Sequence, residues 1–403
     1  MTKSTVAVLG TFQTEFRKQH LAHTFVEQTQ LAAVGALADA GMTPDDIDAV
    51  VFALAPTFFM GVADANKWAV DSIFAQGKPG FRVHTGGATG GSAIQAAYNL
   101  VRAGLFRSVL IVGAERIAET PDAQKVLNLI FDVFYERDIP LSTNTSAALW
   151  AQRYLHRYGH TQEDLARVVV RARRNASRNP FAHLKTQVTV EEVMASPMIS
   201  YPLKLYEVCP RSSGSAAMVV GNLDMARRFQ SRPAFINGVA SRTTTHWFGD
   251  RMTPTADSDF FDFDVVATAS RNCYAQAGIR SPIDEIQAVE LYDPYSITAA
   301  VQLERLGFCS PGTALKLERE GHWDVEGGEL PVNPSGGTLC TNPIAIAGLV
   351  RGIDAANQIM NKAGEMQVRN VKNTLSSSVG GIGQFYNCTI FGNEPFDHGG
   401  HKP

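Results

Sequence analysis

Apolar stretches of two different periods alternate along this chain. Residues 5–9 are β-branched and apolar, as a buried strand requires, while residues 25–40 repeat apolar positions at three- and four-residue spacing and stop at Gly41. Thr43-Pro44-Asp45-Asp46 then opens a turn, because proline presets φ and the acids favour a first helical turn, and an apolar strand follows at 49–52. The segment FRVHTGGATGGSAIQAAYNLVRAG at 81–104 reads as strand, glycine loop and helix, and 108–113 as the next strand. Strands alternating with helices predict an α/β fold.

The pattern repeats. AGMTPDDIDAV at 40–50 returns as AGIRSPIDEIQAV at 277–289, two residues longer. In each copy a helix ends at glycine, a proline-acidic turn follows and a strand begins. Downstream, each offers a glycine-rich loop opening a helix, at 84–91 and at 333–337. Two related α/β halves are expected, 1–225 and 226–403, with the boundary near 222–233, after a strand at 216–220. Residues 120–210 interrupt the first half without a counterpart in the second, and read as helical at 145–158, 161–176 and 190–196. Arg167, Arg171, Arg174 and Arg178 follow one another at spacings of four, three and four, which puts them on one helical face. That face either meets the phosphates of a ligand or is solvated and paired with acids, and the second is the more usual fate of such a run.

Composition narrows the classes. The 403 residues are 45% hydrophobic and carry a net charge of −3, which argues against a nucleic-acid or membrane-surface protein. No apolar run approaches the ~20 residues that span a bilayer. Five cysteines (Cys209, Cys273, Cys309, Cys340, Cys388) lie far apart with no C-x-x-C spacing, so a reduced, cytoplasmic, metal-free protein is expected.

The glycine loop at 84–91 resembles the nucleophile turn of the thiolase superfamily, in its sterol-carrier-protein-like branch, where it reads roughly C-A-S-G-S-S-A and the cysteine carries the acyl group. Aligning Gly90 and Ser92-Ala93 puts Gly87 at the cysteine's place, and a glycine forms no thioester. Three further stations carry the resemblance. Cys209-Pro210-Arg211-Ser212-Ser213-Gly214-Ser215-Ala216-Ala217 is similar to C-x-x-x-D-G-A-A-A, with Ser213 where aspartate is usual. Tyr292-Asp293-Pro294-Tyr295 stands where thiolases carry N-E-A-F or H-D-C-F. Asn333-Pro334-Ser335-Gly336-Gly337 matches N-P-x-G-G, and Asn342-Pro343 follows where the family has G-H-P, so Asn342 replaces the histidine. At the C-terminal turn, 376–383, serines and glycines including Gly381 replace the second cysteine or histidine. Cys209 and Cys340 read as packed side chains, since nothing in the sequence near them lowers a thiol pKa.

The resemblance implies the thiolase fold: two duplicated α/β halves, with layers of helices around two mixed five-stranded sheets and a helical loop domain at about 120–210. It implies an acyl-CoA substrate, no tightly bound cofactor, a homodimer and a small zinc-ribbon and OB-fold partner of the DUF35 kind. With every thiol and imidazole of thiolase chemistry replaced, the site is expected to hold a thioester enolate without becoming acylated. An aldolase that cleaves or forms the Cα–Cβ bond of a β-hydroxyacyl-CoA fits, as in the cysteine-less aldolases of steroid side chains. Those aldolases use a tyrosine where this chain has Asn342. An acyltransferase and a non-catalytic acyl-CoA scaffold are the alternatives. Tyr292 and Asn342 are the expected donors to the thioester oxygen. Asp293 orients Tyr292, acts as a base or caps the following helix. Tyr295, His246 and His84 are further candidate bases. Gly87, Gly336, Gly337, Gly381, Arg171 and Arg174, with His84, are the expected substrate-binding positions. Phe58-Phe59-Met60, Trp68 and Phe74 line a pocket or form a dimer contact.

Overall fold

A computed structural model of the chain describes residues 5–54, 59–136, 138–251 and 259–396. Its strands are β1 (Val6–Gln13), β2 (Ala49–Ala53), β3 (Gly80–Val83), β4 (Ser108–Glu115), β5 (Met198–Ser200), β6 (Leu203–Lys204), β7 (Gly214–Asn222), β8 (Ala234–Thr243), β9 (Ala288–Glu290), β10 (Asn373–Gly380) and β11 (Phe385–Gly392). β5 and β6 form a small separate pair, and the other nine make one mixed sheet ordered β3-β2-β4-β7-β1-β8-β11-β10-β9. The expected pair of five-stranded sheets is corrected here in two respects. The half-sheets are joined edge to edge through β1 and β8, over the pairs Ala7↔Phe235 and Val8↔Ala234. The second half has four strands, its fifth reduced to a single bridge between Val289 and Val332. Extended pairing stops there because Asn333 turns left-handed (φ +50°) and Pro334 has no N–H to give. The duplication survives in the order itself, since β3-β2-β4-β7-β1 is matched by bridge-β9-β10-β11-β8.

The helices make the layers. Helix Phe25–Ala40 starts in a capping box between Thr24 and Glu27, ends on left-handed Gly41, and packs on the outer face of the first half-sheet. Helices Thr89–Arg102 and Ala347–Met360 lie together and touch both half-sheets, and Asp264–Ala277 covers β8 and β11. Ile94, Ala97, Val350 and Ile353 of the middle pair are sealed from water. Each large aliphatic side chain so buried contributes about 1.5–3 kcal/mol. The pair approaches backbone to backbone, since a Cβ on Gly348 would lie 2.9 Å from the Gly91 nitrogen. The glycines of the loop therefore serve packing between duplicated helices as well as any ligand. The inserted segment carries helices Thr143–Tyr158, Gln162–Ala176 and Val190–Ala195. Among the described residues no helix is long and apolar enough to cross a membrane.

Candidate active site

Strand β9 delivers Tyr292 to the middle of the molecule, and the next helix, Ser296–Arg305, turns back to hold it. The Tyr292 amide donates to Ser377 Oγ at 3.1 Å, its carbonyl accepts from Gln302 Nε2 at 2.8 Å, and Ser377 Oγ donates to Gln302 Oε1 at 2.7 Å. With both backbone groups fixed, the buried ring points its hydroxyl at Asn342 Oδ1, 3.4 Å away. That bond is long and weak, so the proton is easily redirected to a better acceptor. The Asn342 Nδ2 donates in turn to Cys209 Sγ at 3.0 Å, and its backbone amide to Ser212 Oγ at 3.1 Å.

The Tyr292 hydroxyl occupies the space that a side chain at position 87 would need. A Cβ built on Gly87 would lie 2.6 Å from that oxygen and 2.5 Å from the Val379 carbonyl. Around this point lies a cavity of about 140 Å³. Gly86, Gly87 and Gly381 bring backbone to one side of it, and Tyr292, Tyr295, Asn342, Cys209 and Gln302 bring polar groups. Apart from Thr143 and Thr298 the rest is apolar, including Phe59, Leu127, Ile130, Trp150, Phe263 and Ile344. Trp150 and Phe263 meet edge to face at 4.9 Å. An apolar wall with a few convergent donors is the ordinary make-up of a small-molecule site.

Electrostatics sets which of these groups are protonated. Burial pushes the Tyr292 and Tyr295 hydroxyls well above the usual tyrosine value, so both are neutral donors at rest. Tyr295 donates to Asn144 Oδ1 at 3.0 Å. Burial also raises the thiols of Cys209 and Cys340 to about 12, which leaves them protonated and poor nucleophiles.

The other residues singled out in the sequence are dispersed. Asp293 does not line the cavity: its carboxylate accepts from the Thr338 amide at 2.6 Å and from Asn333 Nδ2 at 2.8 Å, so it caps the turn Gly337–Cys340 rather than the helix that follows it in sequence. Burial raises it to about 7 against these hydrogen bonds. Gly336 and Gly337 shape that same turn, with φ of +92° and +66°. Gly381, at φ +65°, lines the cavity. His84 is exposed, with partial desolvation and the nearby Arg82 charge lowering its pKa, and His246 is exposed, its Nε2 3.3 Å from Asp132. Neither lines the cavity. Arg171 is buried against Glu318 at 2.8 Å, Arg174 pairs with Asp324 and Arg178 with Glu326, so this arginine face is paired with acids. Phe59 lines the cavity, Trp68 is exposed, Phe74 is half-buried, and Phe58 lies outside the described residues.

Comparison with known proteins settles the family. Residues 6–222 match the thiolase N-terminal domain and residues 250–393 the thiolase C-terminal domain-like family. The chain belongs to the thiolase family. Across 94% of its length it is 30% identical to an acetyl-CoA acetyltransferase of Methanothermobacter thermautotrophicus, covering 97% of that protein. Across 93% it is also 30% identical to a steroid side-chain-cleaving aldolase of Thermomonospora curvata, covering 95% of it. A solved Ltp2-ChsH2(DUF35) aldolase superposes with a TM-score of 0.80 at 27% identity, over 97% of this chain and 98% of that one.

Seen as a thiolase, the chain keeps the glycine turns of the fold while its cavity has no thiol with a lowered pKa. Gln302 and Ser377, which hold Tyr292, were not singled out in the sequence. The one signal for Ser377 was its place in the C-terminal turn, where the family carries a reactive group. Gln302 had none beyond lying on the helix after Tyr292.

Proposed function

We propose that this thiolase-family protein is an acyl-CoA aldolase. It cleaves or forms the Cα–Cβ bond of a β-hydroxyacyl-CoA through a thioester enolate, with no acyl-enzyme. The observation that carries this reading is the pairing of Gly87 with Tyr292: where the family's nucleophile would stand there is a phenol that donates a hydrogen bond and, kept protonated by burial, is a poor nucleophile at neutral pH.

In this reading Tyr292 transfers its hydrogen bond from Asn342 to the thioester oxygen and stabilises the enolate. Tyr295 exchanges a proton with the β-oxygen. In cleavage the β-hydroxyl gives up its proton, the Cα–Cβ bond breaks, a ketone or aldehyde leaves, and the bonding electron pair settles on the thioester as enolate until Cα is protonated. In synthesis each step reverses. The apolar wall suits a bulky acyl group, and the Thermomonospora curvata relative suggests a steroid side chain. A DUF35 partner is proposed from the solved Ltp2-ChsH2(DUF35) aldolase, and a homodimer from the resemblance.

The test is incubation with a β-hydroxyacyl-CoA. A carbonyl product should appear with no free CoA consumed, and mass spectrometry of the protein should find no acyl adduct. A second reading, acyl transfer, is favoured by the full-length match to an acetyl-CoA acetyltransferase. Strict dependence on added CoA would select it.

A further inference from the structure

Cleavage leaves an enolate whose Cα must receive a proton, and the two tyrosines are already engaged, Tyr292 at the thioester oxygen and Tyr295 at the β-oxygen. Few other groups in the cavity can give one. Gln302 and Asn342 are amides and Trp150 an indole, none of which releases a proton near neutral pH. The Thr298 hydroxyl is spent on the Tyr295 carbonyl, at 2.6 Å. Thr143 accepts from Gln124 Nε2 at 3.0 Å and is hydrogen-bonded to Tyr295 as well. Cys209 is left, half-buried and lining the same cavity.

The thiol is held in place from two sides. Cys209 ends the inserted segment, outside both half-sheets, where Val208 bridges Tyr295 and the Cys209 amide donates to the Pro294 carbonyl at 2.9 Å. Its loop is also tied to Asn342. The Ser212 amide donates to the Asn342 carbonyl at 3.1 Å, and the Asn342 amide donates back to Ser212 Oγ at 3.1 Å. The Asn342 side chain therefore stands between phenol and thiol, its Oδ1 3.4 Å from the Tyr292 hydroxyl and its Nδ2 donating to Cys209 Sγ at 3.0 Å. Because the sulfur is the acceptor in that bond, its own proton remains available. Burial raises the thiol to about 12 against the pull of Asn342 and Arg211, and Asp293 adds to the rise. The protonation that disqualifies Cys209 as a nucleophile is what an acid needs.

We propose that Cys209 is the acid that protonates Cα of the thioester enolate, and that in synthesis its thiolate is the base that removes the Cα proton. This rests on the aldolase reading above and assigns the step that reading leaves open. The electron pair released by the Cα–Cβ bond takes the S–H proton, forming a Cα–H bond and leaving a thiolate. Tyr295 meanwhile holds the proton of the β-hydroxyl. As the products leave, Tyr295 passes that proton to solvent and the thiolate takes one back, so a turnover consumes no proton and changes no oxidation state.

The reverse of this step can be followed without any carbon–carbon cleavage. Propionyl-CoA incubated with the full chain in heavy water should exchange its α-protons for deuterium, read by mass spectrometry. Cys209→Ala should slow that exchange by about 100-fold or more, while calorimetry finds propionyl-CoA bound within about threefold of the unaltered affinity. Cys209→Ser keeps an acceptor for Asn342 Nδ2 but offers a much weaker acid, and should lose as much. Exchange undiminished in Cys209→Ala, or restored by serine, would overturn the proposal and leave the enolate reading standing. If neither variant folds, the unaltered protein decides. Exchange by the thiolate of a thiol with a pKa of about 12 rises about tenfold per pH unit from 7 to 9, and a plateau near pH 7 would overturn the assignment. Binding of propionyl-CoA with no exchange in the unaltered protein would defeat the enolate reading and this proposal together.

Discussion

The two halves of this chain share a strand order but not a chemistry. The first half contributes glycines to the site, Gly86 and Gly87, and the backbone they expose. The second half contributes the groups that donate, Tyr292, Tyr295 and Asn342. Where the first half lacks a side chain, the second half fills the gap with a phenol oxygen. The absent side chain and the tyrosine oxygen thus compete for one space, with the Val379 carbonyl as a second obstacle there.

Removing the second half's contribution should have the largest effect. Tyr292→Phe keeps the ring and both backbone hydrogen bonds while deleting the donor. It is expected to lower kcat/KM for β-hydroxyacyl-CoA cleavage by about 100- to 10,000-fold, as loss of a positioned acid or oxyanion donor does. Its thermal midpoint should stay near that of the unaltered protein. Unchanged turnover would return the chemistry to the first half and break the comparison.

The pH profile comes next. Under the proposed aldolase mechanism Tyr295 would have to take the β-hydroxyl proton as a phenolate, and burial has raised its pKa above the ordinary tyrosine value. The active form is therefore a minor one throughout the neutral range. Cleavage should rise about tenfold per pH unit from 7 to 9 with no plateau. A plateau near pH 7 would point to a different base, and Tyr295→Phe measured across the same range would show whether the slope belongs to this residue.

The sequence carried some of this and not the rest, for physical reasons. Helix 25–40 was legible because Thr24, Glu27 and Gly41 are local signals with local partners. The missing nucleophile was legible because a loop motif is contiguous. Asp293 was not, since its acceptors' partners, Thr338 and Asn333, come from another loop. The arginine face at 167–178 was readable as a face, yet the burial of Arg171 depends on Glu318, far along the chain. The joining of the half-sheets rests on two residue pairs at strand ends, too few to leave a pattern.

Asp293 gives a stability prediction within the second half. Its folded pKa is raised to about 7, so between pH 4 and 7 the folded chain holds a proton that the unfolded chain has released. Its stabilising contribution is complete below the ordinary aspartate value and is lost as pH rises through about 7, at up to about 1.4 kcal/mol per pH unit. Urea unfolding at pH 5 and 7.5 should show that slope, and Asp293→Asn should flatten it. An opposite slope at this residue would mean that the amides of the Gly337–Cys340 turn outweigh burial and that the carboxylate is ionised.

The smallest effect tests the complementarity itself. Gly87→Ala places a methyl 2.6 Å from the Tyr292 oxygen and 2.5 Å from the Val379 carbonyl. Overpacking of this kind typically costs about 1–3 kcal/mol. Tyr292→Phe in the same chain removes one of the two obstacles and leaves the carbonyl. If the hydroxyl fills the space of the absent side chain, the double variant should be more stable than the sum of the single changes predicts, by about 0.5 kcal/mol or more. Additive changes would mean that the Val379 carbonyl alone closes position 87. The two halves would then be independent at this point, and the glycine would be there for the backbone's sake, with the tyrosine's arrival a separate matter.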